Sequence, residues 1–257
     1  MIAKNNISNS EGITPVVSVV VPVLNEAENV GSLVKEIVGA LRGKDAFEMI
    51  FVDDGSDDTT STALACLKSE HSELRVIRHR RRTGQSAAIW TGVVAALAPI
   101  IVTLDGDGQN DPANITCLLA QYRVAEDPAS LMVTGFRAKR RDSWLKRVSS
   151  RLANGVRAWL LGDNTLDTGC GLKVFARETF LALPRFNHMH RFLPALMIRE
   201  GGRVETMPVN HRPREHGKTK YGVWNRLGVG IADLIGVMWL LRRGLRPEVE
   251  TEQETDA

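Results

Sequence analysis

The chain alternates between two kinds of apolar pattern. Residues 16–24, VVSVVVPVL, are mostly β-branched and almost continuously apolar, which predicts a strand buried on both faces, as in a parallel sheet. Behind it Val30, Leu33, Val34, Ile37, Val38 and Leu41 recur at helical spacing and predict one core-facing stripe. Asn25 stands ahead of that stripe with Glu28 three residues on, a capping-box spacing that predicts a helix opening at Asn25.

The unit then repeats. Strands are predicted at 47–52 (FEMIFV), 74–79 (LRVIRH) and 99–104 (PIIVTL), with helical segments after DDGSDDTT and at 84–97. Strand and helix follow one another about every 25 residues, the spacing of a doubly wound, mainly parallel α/β sheet of Rossmann-like type. Ligands of such sheets sit off the carboxyl ends of the strands. Three strand ends carry the polar sequences NEAEN, DDGSDD and DGDGQND, so they are expected at one edge.

The second half is less regular. SLMVTGFR at 130–137 reads as a strand, and DSWLKRVSSRLANGVRAWLLG as an amphipathic helix with Leu145, Val148, Leu152, Val156 and Trp159 on one stripe. DTGCGLKVF reads as a Gly-rich turn into a strand, and RVETMPVNHRP as a further strand. Residues 227–241, LGVGIADLIGVMWLL, carry one charge, Asp233, and are flanked by Arg242, Arg243 and Arg246. That run is shorter than the roughly 20 apolar residues of a bilayer span. It predicts an amphipathic helix lying on a membrane surface, with packing onto the domain as the competing reading. The expected organisation is a leader at 1–14, a catalytic domain at 15–222, the surface helix at 223–246 and an acidic tail at 247–257.

Charge changes the picture in one respect. The net charge is +3, but the last eleven residues hold five acids and no base, leaving +8 on the rest. Basic residues gather at 78–82, 137–141 and 241–246, which suits phosphates or an anionic membrane. Cys66, Cys117 and Cys170 form no CxxC pair, and the first residues contain no hydrophobic export signal; both point to a reducing compartment.

The candidate chemistry lies in VTLDGDGQNDP. Two carboxylates, Asp105 and Asp107, follow a buried strand, where a bound cation would relieve their repulsion. A calcium loop of EF-hand type fails: counted from Asp105, position 6 is Asn110 rather than Gly, and position 12 is Thr116 rather than Glu. Asp111 before Pro112 fits a helix cap and leaves the other two unexplained. Mg²⁺ or Mn²⁺ bridging Asp105 and Asp107 to a diphosphate fits, with Gln109 as a further oxygen donor.

With its other strand ends added, the chain resembles a family-2 glycosyltransferase of the GT-A fold, and most of all the dolichol-phosphate mannosyltransferase branch of polyprenyl-phosphate glycosyltransferases. The matching blocks are VSVVVPVLNEAENV, FEMIFVDDGSDDTT, RRRTGQSAAIWTG, VTLDGDGQNDP, VTGFRAKRRDS, DTGCGLKVF, HRFLPAL and HRPREHGKTKYG. The resemblance implies that Pro22, Asn25, Glu26, Asp53, Asp54, Gly84 and Gln85 bind the nucleotide sugar, and that Asp105, Asp107 and Gln109 hold Mg²⁺ or Mn²⁺. It implies that Arg137 faces the donor diphosphate, and that Arg191, Arg212, Arg214 and Lys220 gather a lipid phosphate. Asp105, Asp107, Arg137 and Arg191 are then the catalytic set. Gly106 and Gly108 depart from the usual DADLQ and are expected to loosen the loop.

The implied reaction is inverting transfer from GDP-mannose or a UDP-sugar to a polyprenyl monophosphate. It implies a peripheral place on the cytoplasmic face of the membrane and a downstream integral-membrane glycosyltransferase; nucleic acid is not an expected partner. Three alternatives stay open: a family-2 transferase with a hydroxyl acceptor, which needs a base carboxylate in the second half; a sugar-1-phosphate nucleotidyltransferase, whose Gly-rich loop is missing from VPVLNEAEN; and a basic membrane adaptor without catalysis.

Overall fold

The computed structural model describes residues 14–137, 160–163, 165, 167–213 and 223–243; for 223–229 it describes the backbone alone. The expected leader, the helix over most of 142–162, the acidic tail, Arg214 and Lys220 lie outside these residues.

Seven strands form one sheet: β1 (Val17–Val23), β2 (Phe47–Asp53), β3 (Leu74–Arg78), β4 (Ile100–Thr103), β5 (Leu131–Arg137), β6 (Lys173–Ala176) and β7 (Arg203–Val209). The order is β3-β2-β1-β4-β6-β5-β7. β1, β2, β3 and β4 are mutually parallel, β6 runs antiparallel between β4 and β5, and β7 pairs parallel with β5. The chain steps from β1 outward to β3, then returns to place β4 on the other side of β1. That reversal opens a crevice at the carboxyl ends of β1 and β4, where such sheets bind ligands. The predicted strands all form, most within one or two residues of their expected ends; the one expected over RVETMPVNHRP stops at Val209.

Helices cover both faces. The described helices are α1 (Val30–Leu41), α2 (Thr60–Glu70), α3 (Gln85–Ala95), α4 (Ile115–Arg123), α5 (Arg177–Ala182), α6 (Leu193–Arg199) and α7 (Val223–Leu241). Strand alternation divides the core. Val17, Val19, Val21 and Val23 of β1 pack with the α1 stripe, Leu64 of α2 and Leu118 of α4. Val20 joins Ile50, Val52 and Ile101 under α3, α5 and α6. Both faces of β1 are therefore dry, which is why its sequence is apolar without alternation. The one polar intruder, Ser18, donates to Glu48 at 2.6 Å, and that buried carboxylate also accepts from the Leu97 amide.

Two local expectations change. α1 begins at Val30, with Asn29 in the capping position, and not at Asn25. Asn25 is left-handed (φ 53), which no first helical turn can include. Its side chain serves another loop instead. Asp111 does start its helical segment, accepting from the Ala113 amide at 3.1 Å ahead of Pro112.

α7 forms along the C-terminal run and packs one side onto the domain. Leu234, Val237, Met238, Leu240 and Leu241 pack onto the core beside α3 and α6. Ile231, Ile235 and Trp239, one turn apart, stay 52%, 63% and 61% exposed. No helix among the described residues is long and apolar enough to cross a membrane.

Candidate active site

The carboxyl edge of the sheet collects four loops. The loop after β1 is stitched to the loop after β2: the Asn25 amide donates to Ser56 Oγ (2.9 Å), Asn25 Nδ2 to Asp57 Oδ1 (2.5 Å), and the Asp57 amide back to Asn25 Oδ1 (3.0 Å). The Glu26 amide donates to Thr60 Oγ1 (2.9 Å), and Glu26 Oε2 accepts from Asn29 (2.6 Å). Asn25 and Glu26 line a small acidic hollow of about 240 Å³ with Asp58 and Thr59.

Asp53 and Asp54 end β2 with their oxygens engaged. Asp53 is fully buried and accepts from the Ser56 amide (2.8 Å) and the Ser61 hydroxyl, with Arg78 Nε 3.5 Å away. Asp54 accepts from the Thr83 amide (2.9 Å), the Thr83 hydroxyl (2.7 Å) and the Gly84 amide (2.7 Å), and stands 2.8 Å from His79 Nδ1. Burial works against its charge, but the bonds from Thr83, His79 and Gly84 outweigh it and hold the carboxyl below its ordinary value. Asp53 thus fixes the loop after β2, and Asp54 the 80–84 loop. Gly84 closes it at φ 99, a conformation that favours glycine.

Gly84 sets the start of α3, so Gln85 projects to β4 and donates from Nε2 to Asp105 Oδ1 at 2.9 Å. The Asp105 carboxyl is raised to about 6, first by burial and then by the charge of Asp107. Lys173, Arg137 and the Gln85 amide offset this in part. Asp107 Oδ1 accepts from the Gln109 amide at 3.2 Å, folding the loop tightly through Gly108 at φ 71. Gly106 does not loosen the loop as expected. A Cβ there would lie 2.6 Å from Val23 Cγ1 and 2.9 Å from the Pro22 carbonyl oxygen, so the glycine lets the loop press against β1. Gly171 does the same from the other side: its Cβ would fall 2.2 Å from Asp105 Cγ.

A cavity of about 390 Å³ opens at this point, walled by Pro22, Gln85, Asp105, Lys173, His190 and Arg191 among others. Four expected residues, Pro22, Gln85, Asp105 and Arg191, thus share one space. Arg137 stands behind Gly169 and grips Asp167 with both arms of its fork, Nε to Oδ2 at 2.5 Å and the second nitrogen to Oδ1 at 2.8 Å. Arg212 is engaged elsewhere. Its guanidinium bridges Glu36 (2.7 Å) and Asp111 (2.8 Å), and its backbone pairs with Gln109, so holding a phosphate would cost two ion pairs.

Three residues escaped the sequence reading. Asp167 orients Arg137. Lys173, 4% exposed, donates to the Cys170 carbonyl, and its charge pulls the Asp105 carboxyl back toward its ordinary value; burial pulls the lysine's own pKa down. His190 lines the cavity with Nδ1 2.7 Å from Ser86 Oγ. The legible signal was a charge inside an apolar strand, Lys173 in LKVFA.

The donor set fits Mg²⁺ or Mn²⁺. No group of three or more acidic, His or Cys side chains among the described residues could hold a metal alone. Two carboxylates one residue apart, with the charge of Asp107 raising the Asp105 carboxyl, suit a hard cation completing its shell with phosphate oxygens.

Residues 18–192 match the family described as "Glycosyl transferase family 2". The chain is 36% identical to dodecaprenyl-phosphate galacturonate synthase of Rhizobium johnstonii over 235 residues, which covers 90% of this chain and 68% of that protein. It is 34% identical to undecaprenyl-phosphate 4-deoxy-4-formamido-L-arabinose transferase of Edwardsiella ictaluri, covering 80% of this chain and 63% of that one. In fold it resembles glucosyl-3-phosphoglycerate synthase of Mycobacterium tuberculosis in complex with Mn²⁺, UDP and glucosyl-3-phosphoglycerate. The TM-score is 0.65 at 20% identity, over 88% of this chain and 80% of that one.

Proposed function

Because the chain belongs to glycosyl transferase family 2, we propose that it transfers a sugar from a nucleotide-diphosphate sugar to a polyprenyl monophosphate, with inversion, at a membrane surface. Relatives named for dodecaprenyl- and undecaprenyl-phosphate acceptors support the lipid half of this reading.

The carrying observation is the character of the cavity wall. Asp105 is the sole carboxylate lining it among the described residues, while Lys173 and Arg191 bring positive charge. The second-half carboxylate that a hydroxyl acceptor would need as a base, Asp167, is held in both arms of Arg137. A phosphate acceptor is already ionised near neutral pH and needs no base. What remains is to hold two anions together and stabilise the leaving diphosphate.

The roles follow. Asp105 and Asp107, with Gln109 beside them, hold the divalent ion, which when bound neutralises charge on the departing diphosphate. Arg137, held by Asp167, faces the same diphosphate. Pro22 and Gln85 border the donor, and Asn25 and Glu26 border the hollow beside it. Asp53, Asp54 and Gly84 shape the nucleotide end by fixing its loops. Arg191 at the rim, with Arg214 and Lys220, draws in the lipid phosphate, while Arg212 is held by Glu36 and Asp111. The exposed Ile231, Ile235 and Trp239 of α7, next to Arg242 and Arg243, set the domain on an anionic bilayer. The lipid-linked product suits an integral-membrane glycosyltransferase as consumer.

The test is a panel of UDP- and GDP-sugars incubated with a short polyprenyl phosphate and Mn²⁺, scored for lipid product. Product from one donor, abolished by Asp107→Ala in a folded protein, is the expected result. Near-wild-type turnover of Asp107→Ala under chelation removes the mechanism.

A further inference from the structure

His190 and Ser86 meet across a separation of 104 residues. Ser86 is the second residue of α3 and is 4% exposed. Its Oγ accepts the His190 backbone N–H at 3.2 Å and stands 2.7 Å from Nδ1 of the same residue. A hydroxyl has one proton to give. If Oγ gives it to Nδ1, every group in the pair is satisfied. If Nδ1 held the proton, Oγ would receive two donors, and its own hydrogen would be buried with no acceptor among the described residues, a costly arrangement. The neutral ring therefore carries its hydrogen on Nε2. Burial, then the positive charges of Arg191, Lys173 and His188, lower the pKa to about 3, so the ring remains an imidazole at any working pH.

Nε2 makes no hydrogen bond among the described residues, and His190 lines the same cavity as Asp105 and Gln85. We propose that His190 contacts the transferred sugar, donating a hydrogen bond from Nε2–H to one of its hydroxyl groups. The proposal rests on the transferase reading and deepens it by assigning a sugar subsite. Its chemistry follows from the wall. Phosphate oxygens are better served by cations, and Lys173 and Arg191 are at hand. An uncharged N–H is matched to an uncharged oxygen. Pro22, Ile89 and Leu193 add apolar surface to the same cavity, as the C–H faces of a pyranose require. Ser86 is a positioning residue, acting only through the tautomer.

Calorimetry on the full chain with Mn²⁺ tests this, using UDP, GDP, UDP-glucose, UDP-galacturonate and GDP-mannose as probes. His190→Ala should bind the nucleoside diphosphate as wild type does, yet lose about 3- to 10-fold in affinity for the matching nucleotide sugar, the worth of one hydrogen bond. His190→Gln, which keeps a donor at that reach, should recover most of the loss. Equal weakening toward diphosphate and nucleotide sugar, or no weakening toward either, overturns the subsite. If wild type binds none of the five, the transferase reading itself fails, and the subsite with it. A substrate-free check is the ¹⁵N spectrum of the ring: a protonated Nε2 and an unprotonated Nδ1 are expected, with Ser86→Ala mixing the tautomers. A proton on Nδ1 in wild type also overturns the proposal.

Discussion

Asp233 Oδ2 lies 2.9 Å from Nδ1 of His188, and this pair ties the C-terminal helix to the rim of the cavity. Asp233 is the one acid in α7 and the only charged residue in its 227–241 stretch. His188 is left-handed at φ 66, two residues before His190 and three before Arg191. The helix that faces outward with Ile231, Ile235 and Trp239 thus holds the backbone that presents both cavity residues. Asp233→Ala leaves a half-buried imidazole without its partner, which costs about 1–3 kcal/mol. Thermal unfolding should report that loss. KM for the lipid acceptor should rise more than KM for the nucleotide sugar; equal rises would mean that the pair serves stability alone.

The Arg137–Asp167 fork should behave as one unit. Removing either partner leaves the other misplaced or unpaired, so each alanine variant should lose on the order of 10²-fold in kcat. The double variant should lose little more, since the two acts are not independent. Additive losses in a double-mutant cycle would show that Asp167 has a separate role.

Gly171→Ala probes the metal pair without touching a carboxylate. Its new Cβ would fall 2.2 Å from Asp105 Cγ, so the side chain must leave its bond to Gln85. Mn²⁺ binding, followed by electron paramagnetic resonance, should weaken at least tenfold while circular dichroism stays native. Gly39→Ala, where nothing lies within 4 Å of the added Cβ, is the control and should bind as wild type.

The pH response of metal-free protein follows from Asp105. Its carboxyl is raised to about 6, so the folded state holds the proton more tightly than the unfolded chain. The contribution is full below the ordinary value of 3.8 and is lost as pH rises to about 6. Added Mn²⁺ relieves the repulsion and competes with that proton. Melting curves with chelator should therefore fall across this window from this group, and the gain from Mn²⁺ should be larger near pH 7 than near pH 5. An equal gain at both contradicts the assignment.

Vesicle pelleting tests the outer face of α7. Replacing Ile231, Ile235 and Trp239 with Ser removes apolar area that is more than half exposed. Binding to anionic vesicles should drop with little change in melting temperature. Deleting residues 224–257 should abolish it, and unchanged pelleting in both would remove the membrane role.

Much of the fold was legible because its causes are local. A run such as VVSVVVPVL declares a strand dry on both sides, and the α1 stripe declares a helix with one wet face. Alternation of the two leaves few topologies, all with β1, β2 and β4 ending at one edge. The Asp105–Asp107 pair was legible for a similar reason, since two carboxylates at one strand end demand an explanation wherever the chain goes. The start of α1 was misread because the cap signal at Asn25 is overridden by Asp57, 32 residues away.

By itself, then, the sequence determined the layered sheet, the polar edge and the acidic pair, because periodicity and charge act between neighbours in the chain. The tertiary structure decided which polar groups are spent and which are free. Asp54 is exhausted by Thr83 and Gly84, Arg212 by Glu36 and Asp111, and Asp167 by Arg137, whereas His190 keeps Nε2 open because Ser86 occupies Nδ1. Each side chain has few hydrogen bonds to give or accept, and partners 29 to 176 residues away claim them.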